Sequence, residues 1–220
     1  MKFFLDSANL DALKKYKGII DGVTTNPAIM AKDGATQEVR LKEICDIVPT
    51  LPISGEVVYA NSIEQICADA RKIASIAPNI VIKIPGNFYG LQAIRILKSE
   101  GFKLNVTALM TFKQLALAAQ QGADYVSQFY CRAKDAGIDS IREINKAKEF
   151  IVQNGLKTEI IIGSIRTPQD VEATMLTRGD ILTISPELIE SCFAHPKTQA
   201  SIDEFAQRYE ESLRLKSRGI

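Results

Sequence analysis

The sequence has few of the features expected of a membrane, secreted or nucleic-acid-binding protein. Its most apolar runs, such as 80–84 with one lysine inside it, are too short to cross a bilayer. Met1 leads directly into a strand-like KFFLD, so no signal peptide is predicted. The 27 Lys and Arg residues balance 26 Asp and Glu and are interspersed with them. We therefore expect no nucleic acid and no membrane as partners, and a cytoplasmic location.

Metal ligands are also scarce. Cys45, Cys67, Cys131 and Cys192 lie far apart with no Cys-x-x-Cys pair, and His195 is the only histidine. A zinc site is not expected from such a set. We predict four reduced thiols, as is usual in the cytoplasm, and a structural role for His195 at a helix junction.

Size and composition favour one compact domain. The chain has 220 residues, of which 46% are hydrophobic and 24% charged, enough to bury a sizeable core. We therefore predict a single domain over residues 1–220, and we find no linker, low-complexity tract or repeat that would divide it.

Short apolar runs alternate with helix-period segments eight times. The predicted strands are 2–6, 22–25, 53–58, 80–85, 103–107, 124–129, 159–163 and 180–184, and the predicted helices are 10–17, 37–46, 62–76, 91–99, 112–121, 141–153, 168–177 and 186–193. Eight such units predict a single-domain (β/α)8 barrel of the TIM type, in the α/β class. The competing doubly wound sheet usually has fewer strands, and a G-x-G-x-x-G turn after the first strand is missing.

An extra charged helix is predicted at the C-terminus, over residues 196–217. It carries apolar residues at Ile202, Phe205, Tyr209, Leu213 and Leu215. Such a helix has no place inside a barrel. It could cover the barrel's own surface or pack on a neighbouring subunit.

Lys83 is the most informative residue. It interrupts the apolar run IVIKIP, where burial should disfavour its charged form and leave some free amine to attack a ketone. The alternative is a structural ion pair between Lys83 and Glu56 or Asp6, since buried ion pairs need no catalytic purpose.

Two carboxylates could support imine chemistry on that amine. Asp6 and Glu56 end or interrupt apolar runs, where a carboxylate is costly unless it is paired. A helix cap is the alternative for Asp6, because Ser7 and Asn9 also lie where a helix should start.

Further polar residues end the other predicted strands, where the active site of a barrel is built. Arg132 and Arg166, near the ends of strands six and seven, suggest an anion subsite, because a guanidinium binds phosphate in a forked geometry. Each arginine alone could be an ordinary exposed charge, and Asn26 a turn residue. The remaining candidates are Thr25, Asn105, Thr107, Ser127 and Ser164.

Read together, these motifs resemble the transaldolase family, specifically its small subfamily that includes the fructose-6-phosphate aldolases. The resemblance covers nearly the whole chain. It rests on LDSAN (5–9), GVTTNPAI (22–29), the Glu of SGEVV, IVIKIP, LNVTALMT (104–111), Ser-x-Phe-x-x-Arg (127–132) and GSIRTPQ (163–169).

The resemblance implies a Schiff base on Lys83, with Asp6 moving the proton of the C4 hydroxyl. It implies proton transfer by Glu56 and Thr107 through a water, and substrate orientation or phosphate binding by the remaining candidates: Thr25, Asn26, Asn105, Ser127, Phe129, Arg132, Ser164 and Arg166. The substrates implied are sugar phosphates, with no cofactor and no metal. A homo-oligomer, a pentamer or decamer, is implied for the assembly.

One position bears on the reaction. In this family a Phe two residues after the Ser accompanies transaldolases and a Tyr accompanies aldolases, and here it is Phe129; Glu56 also favours transfer. Gln128, Tyr130 and Cys131 depart from the usual Ser-Pro-Phe-Val-Gly-Arg pattern. An aldolase that releases dihydroxyacetone, or a barrel that binds sugar phosphates without catalysis, are the alternatives.

Overall fold

The computed structural model describes residues 1–30 and 34–217. Eight parallel strands pair in sequence order, and the last pairs with the first to close a barrel. The strands are β1 (Lys2–Asp6), β2 (Gly22–Thr24), β3 (Ile53–Glu56), β4 (Ile80–Pro85), β5 (Leu104–Leu109), β6 (Tyr125–Phe129), β7 (Glu159–Gly163) and β8 (Ile181–Ile184). The predicted eight-stranded barrel is confirmed.

Helices follow the strands. They are α1 (Leu10–Tyr16), α2 (Pro27–Met30), α3 (Gln37–Ile47), α4 (Ile63–Ala74), α5 (Phe88–Ser99), α6 (Phe112–Gln120), α7 (Tyr130–Asp135), α8 (Ser140–Gln153), α9 (Pro168–Met175), α10 (Pro186–Phe193) and α11 (Pro196–Ser217). The predicted C-terminal helix is confirmed as α11. The short helices α2 and α7 were not predicted, and α7 bears on the site because it carries Arg132.

Local sequence explains where most of these helices begin. The side chains of Thr36, Ser62 and Asn87 each accept a hydrogen bond from a backbone N–H in the first turn of α3, α4 and α5. In α8 the buried residues are Ser140, Ile144, Ala147 and Ile151. The sequence spacing of Ile141, Ile144, Ala147 and Ile151 predicts one shared apolar face, and for Ile141 this is wrong. Ile141 is 40% exposed, because Ser140 takes the inward position one residue earlier.

The lower part of the barrel interior is apolar. Phe4, Ile161 and Ile181 form a buried cluster with Tyr125 packed against it. Gly22 makes room for this layer, since a Cβ at that position would lie 2.5 Å from the Phe4 ring. Side chains alternate along each strand, so the inward positions two residues further on lie nearer the carboxyl ends of the strands. There the interior becomes polar.

The chain divides into two compact units, Met1–Pro186 and a second unit that begins at Glu187. In the second unit the apolar residues Ile202, Phe205, Tyr209 and Leu213 of α11 are all exposed. The prediction of one domain over residues 1–220 therefore stays a prediction. Within the described ranges, no helix is both long enough and apolar enough to cross a membrane.

Candidate active site

A cavity of about 100 Å³ lies at the carboxyl ends of the strands. This is the end at which parallel (β/α)8 barrels carry their active sites. Residues from six of the eight strands and from the segments that follow them line it: Asp6, Thr24, Asn26, Lys83, Ser127, Phe129, Arg132, Gly163, Ser164 and Thr183. Seven of these ten were predicted as site residues; Thr24, Gly163 and Thr183 were not.

Lys83 projects into this cavity from β4 and is 5% exposed. Its Nζ lies 3.0 Å from Glu56 Oε2 and donates a hydrogen bond to the Thr25 carbonyl oxygen, also at 3.0 Å. The register places Glu56 of β3 directly opposite Lys83. The ion pair between Lys83 and Glu56 that the sequence analysis considered is therefore present, and it also places a proton acceptor beside the amine in the cavity.

Asp6 lies at the end of β1 and accepts a hydrogen bond from Thr24 Oγ1 at 3.0 Å. Burial raises the pKa of the Asp6 carboxyl, while the Lys83 charge and the Thr24 hydrogen bond oppose that rise. The cap alternative is not what the structure shows, because Asn9 accepts from the first turn of α1. Asp6 is thus free of helix capping and faces the cavity.

Thr24 and Thr183 form a relay to Asp6. Their hydroxyl oxygens lie 2.5 Å apart. An ionised Asp6 can only accept, so Thr24 donates to Asp6 and Thr183 donates to Thr24. Gly163 leaves room for this arrangement, since a Cβ there would lie 3.2 Å from Thr183 Cγ2.

A second buried chain of hydrogen bonds crosses three strands. Ser127 Oγ donates to Asn105 Oδ1 at 2.7 Å, and Asn105 Nδ2 donates to Ser54 Oγ at 3.2 Å. This fixes the rotamers of Ser127 and Asn105 beside Lys83, whose register partner on β5 is Asn105. On the same strand, Thr107 Oγ1 is buried without a hydrogen-bond partner among the described residues. A buried hydroxyl of this kind is suited to bind a water or a substrate oxygen.

The cavity wall also contains an arginine. The Arg132 guanidinium, on α7, lies 4.9 Å from the centre of the Phe129 ring, a cation–π contact that orients it. Ser164 lies beside it in the cavity wall and has a left-handed backbone with φ 61°. Non-glycine residues rarely adopt this conformation, and those that do cluster at functional sites.

Five predicted residues are not part of the cavity wall: Glu56, Asn105 and Thr107, whose contacts are given above, and Arg166 and Thr25. Arg166 Nη2 pairs with Asp135 Oδ2 at 2.7 Å, and both side chains are about half exposed. Thr25 turns its hydroxyl to the Ser54 carbonyl oxygen at 2.7 Å and offers only its own carbonyl to Lys83. Asn26 lines the cavity, and its side chain also accepts a hydrogen bond from Ile29 N, as a turn residue would.

Cysteine and histidine take no part in the cavity wall. All four cysteines are free, and Cys45, Cys67 and Cys131 are buried. Across residues 1–30 and 34–217, no group of three or more His, Cys, Asp and Glu side chains could hold a metal ion.

Comparison with known proteins gives the family. A family model described as Transaldolase/Fructose-6-phosphate aldolase matches residues 3–218. The chain belongs to this family. It is similar to proteins named "Probable transaldolase" from Brachyspira hyodysenteriae, at 42% identity over 96% of this chain and 98% of the relative, and from Methanococcus maripaludis, at 39% identity over 97% and 99%. A third, from an Exiguobacterium species, is 39% identical over 93% and 95%.

Membership of the transaldolase family makes the chain a class I enzyme, since its chemistry goes through a Schiff base. Sugar phosphates fit the family as substrates. In this barrel the cavity that contains Lys83, Asp6 and Arg132 has the groups that such substrates require: an amine, a carboxylate and a cation.

Proposed function

We propose that this protein is a transaldolase that moves a dihydroxyacetone unit from a ketose phosphate, of the fructose 6-phosphate type, to an aldose phosphate. The observation that carries this is the position of Lys83 Nζ, 3.0 Å from the Glu56 carboxylate in a cavity that also contains Asp6. An amine, an adjacent proton acceptor and a second carboxylate are what imine formation followed by carbon–carbon cleavage needs.

The first stage forms the imine. Lys83 passes a proton to Glu56, and its free amine attacks the C2 carbonyl of the donor to give a carbinolamine. Loss of the C2 oxygen as water then gives the iminium, with the proton supplied from Glu56 through a water. Thr107 Oγ1, which is buried and has no hydrogen-bond partner among the residues that the structure describes, holds that water in this proposal.

The second stage breaks the C3–C4 bond. Asp6 takes the proton of the C4 hydroxyl, the C4 oxygen becomes an aldehyde, and the bonding electrons pass to C3 and the iminium to give an enamine on Lys83. An aldose phosphate then replaces the aldehyde product. C3 of the enamine attacks its carbonyl carbon, Asp6 returns the proton to the new hydroxyl, and water releases the longer ketose.

Binding is assigned to the residues around these groups. Ser127, Asn105 and Asn26 orient the dihydroxyacetone unit, and the hydrogen-bond chain through Ser54 fixes two of them. Arg132 and Ser164 hold the phosphate, with Phe129 stacked beneath the guanidinium. Arg166 contributes to phosphate binding only when it leaves Asp135, and Thr25 acts through its carbonyl on Lys83.

An aldolase that releases dihydroxyacetone is the second candidate, favoured by the departures at Gln128, Tyr130 and Cys131 from the family pattern.

A direct assay distinguishes the transaldolase from the aldolase. With fructose 6-phosphate and erythrose 4-phosphate, a transaldolase yields a seven-carbon ketose phosphate, whereas an aldolase yields free dihydroxyacetone. We expect transfer in the wild type, and a larger share of release in Phe129→Tyr, which adds a hydroxyl beside the enamine. Release without transfer by the wild type would move the assignment to aldolase.

We further propose a cytoplasmic location and a homo-oligomer, either a pentamer or a decamer, as the family resemblance implies. The exposed apolar residues of α11, among them Phe205 and Tyr209, support an assembly in which this helix packs on a neighbouring subunit. Sedimentation equilibrium of the full chain, compared with a chain ending before Pro196, tests the oligomer.

A further inference from the structure

Asp170 is a buried carboxylate that lies outside the reaction cavity. It is 6% exposed and belongs to the first turn of α9. We propose that Asp170 is a positioning residue of the phosphate subsite, which holds α7 and the β7–α9 segment together so that Arg132 and Ser164 face one anion. This inference rests on the proposed function, in which those two residues bind the substrate phosphate.

Helix capping explains only part of what Asp170 contacts. Its Oδ2 accepts from Thr167 N at 3.1 Å and from Thr167 Oγ1 at 2.8 Å, and its own N–H donates to Thr167 Oγ1. These bonds form a capping box at the start of α9. A capping box needs nothing from another helix.

The remaining contacts of Asp170 come from α7. Cys131 Sγ donates to Oδ2 at 3.3 Å, and Lys134 Nζ donates to Oδ1 at 3.1 Å. Arg132 lies between these two donors in the sequence. One carboxylate therefore ties the helix that carries the proposed phosphate-binding arginine to the segment that carries Ser164, three residues before Thr167.

A backbone bond gives the same two segments a second link. Cys131 N donates to the Ser164 carbonyl oxygen at 3.2 Å. Ser164 has φ 61°, a strained conformation that persists only when its surroundings fix it. The exposed Arg166–Asp135 pair also joins the segments, but exposed ion pairs contribute little. The hydrogen bond from Cys131 Sγ to Asp170 is the buried side-chain link between the two segments, since the Lys134 side chain is itself 63% exposed.

Asp170 stays ionised in this network. Burial alone would raise the pKa of its carboxyl, but hydrogen bonds from Thr167, Lys134 and Cys131 hold that pKa below its usual value. Burial and the adjacent carboxylate raise the pKa of the Cys131 thiol, so it donates as a neutral S–H. Asp170 is therefore the acceptor in this network, and Thr167, Lys134 and Cys131 are its donors.

Asp170→Asn tests the role. An amide has only one acceptor oxygen, and its NH2 group would face groups that donate to Asp170, such as Lys134 and Cys131. The link between the two segments should therefore loosen. We expect KM for fructose 6-phosphate and the inhibition constant of inorganic phosphate to rise together by roughly 10-fold or more, with kcat within about 2-fold of wild type. Asp180→Asn is the matched control: Asp180 also accepts from a lysine, Lys148, and from a backbone N–H, but it precedes β8 at the far end of the barrel. It should leave both constants unchanged.

Two variants of Cys131 test the same role if Asp170→Asn does not fold. Cys131→Ala removes one tether and should raise both constants, whereas Cys131→Ser keeps a donor to Asp170 and should restore them. Constants unchanged in Asp170→Asn, or equal in the two cysteine variants, would contradict the inference, as would a wild type that inorganic phosphate does not inhibit. Failure of the proposed function itself has a different signature: a wild-type protein that forms no Schiff base with a ketose phosphate.

Discussion

Arg166 Nη2 lies 2.7 Å from Asp135 Oδ2, whereas the Arg132 guanidinium lies in the cavity wall over the Phe129 ring. The two arginines end neighbouring strand units in the sequence, yet the structure gives them different surroundings. Only Arg132 faces the space that also contains Lys83 and Asp6. The proposed anion subsite is therefore asymmetric, with Arg132 in the cavity wall and Arg166 paired with a surface carboxylate.

This asymmetry predicts unequal losses. Arg132→Ala removes the cation of the cavity wall and should raise KM for fructose 6-phosphate at least about 10-fold, equivalent to about 1.4 kcal/mol of binding. Arg166→Ala breaks an exposed ion pair and should raise KM by less than about 3-fold. Steady-state kinetics of both variants make the comparison. An equal rise in KM in the two variants would contradict this prediction and would show that Arg166 leaves Asp135 to bind the phosphate.

The relay of hydroxyls to Asp6 predicts a pH effect. In the proposed mechanism Asp6 acts as a carboxylate base, so kcat/KM should fall as pH drops through its pKa, which burial has raised. The Thr24 hydrogen bond favours the ionised form. Thr24→Val should therefore raise the pKa of Asp6 further and move the acidic limb of the kcat/KM profile to higher pH.

Thr183→Val is the control for that shift. Thr24 keeps its hydroxyl in this variant and still donates to Asp6, so the acidic limb should move less than in Thr24→Val. Profiles of kcat/KM against pH for the wild type, Thr183→Val and Thr24→Val measure the position of the acidic limb in each protein. If the acidic limb of Thr24→Val lay at the same pH as that of the wild type, the assignment of Asp6 as the base would be wrong.

Gln128 predicts a gain in stability. Its side chain is fully buried on β6, and neither amide atom has a hydrogen-bond partner in the described part of the chain. A buried polar group left unpaired costs about 1–3 kcal/mol, so Gln128→Met should raise the free energy of unfolding by about that amount. Urea denaturation measures it.

Gln114→Met is the matched control for the same replacement. Gln114 Oε1 accepts hydrogen bonds from Met110 N and Thr111 N, so this variant should lower the free energy of unfolding. A Gln128→Met protein that loses stability as well would mean that the Gln128 amide is satisfied in solution.

The barrel and its reactive end could be predicted from the sequence because one signal repeats eight times. Apolar runs predicted β1, β4 and β7 with their observed bounds, and the polar residues that end or interrupt such runs include Asp6, Lys83 and Ser127. Strands of a parallel barrel bring their carboxyl ends together, so residues far apart in sequence could be assigned to one site.

What the sequence did not reveal depends on contacts between distant segments. Helix α7 has only six residues, too few for a repeating apolar pattern to show in the sequence, so the element that carries Arg132 was missed. The partners Asp135 of Arg166 and Asp170 of Cys131 follow from how α7 packs. Thr183 is a single polar residue in an apolar run, as Lys83 is, but an uncharged hydroxyl can satisfy itself on the backbone and gives a weaker signal.

Trapping of the imine tests the central claim most directly. The protein is incubated with fructose 6-phosphate, reduced with borohydride, digested and mapped by mass spectrometry, beside a Lys83→Arg control that keeps the positive charge. We predict a reduced sugar adduct on Lys83 in the wild type and none in Lys83→Arg. An adduct on a different lysine, or no adduct at all, would contradict it.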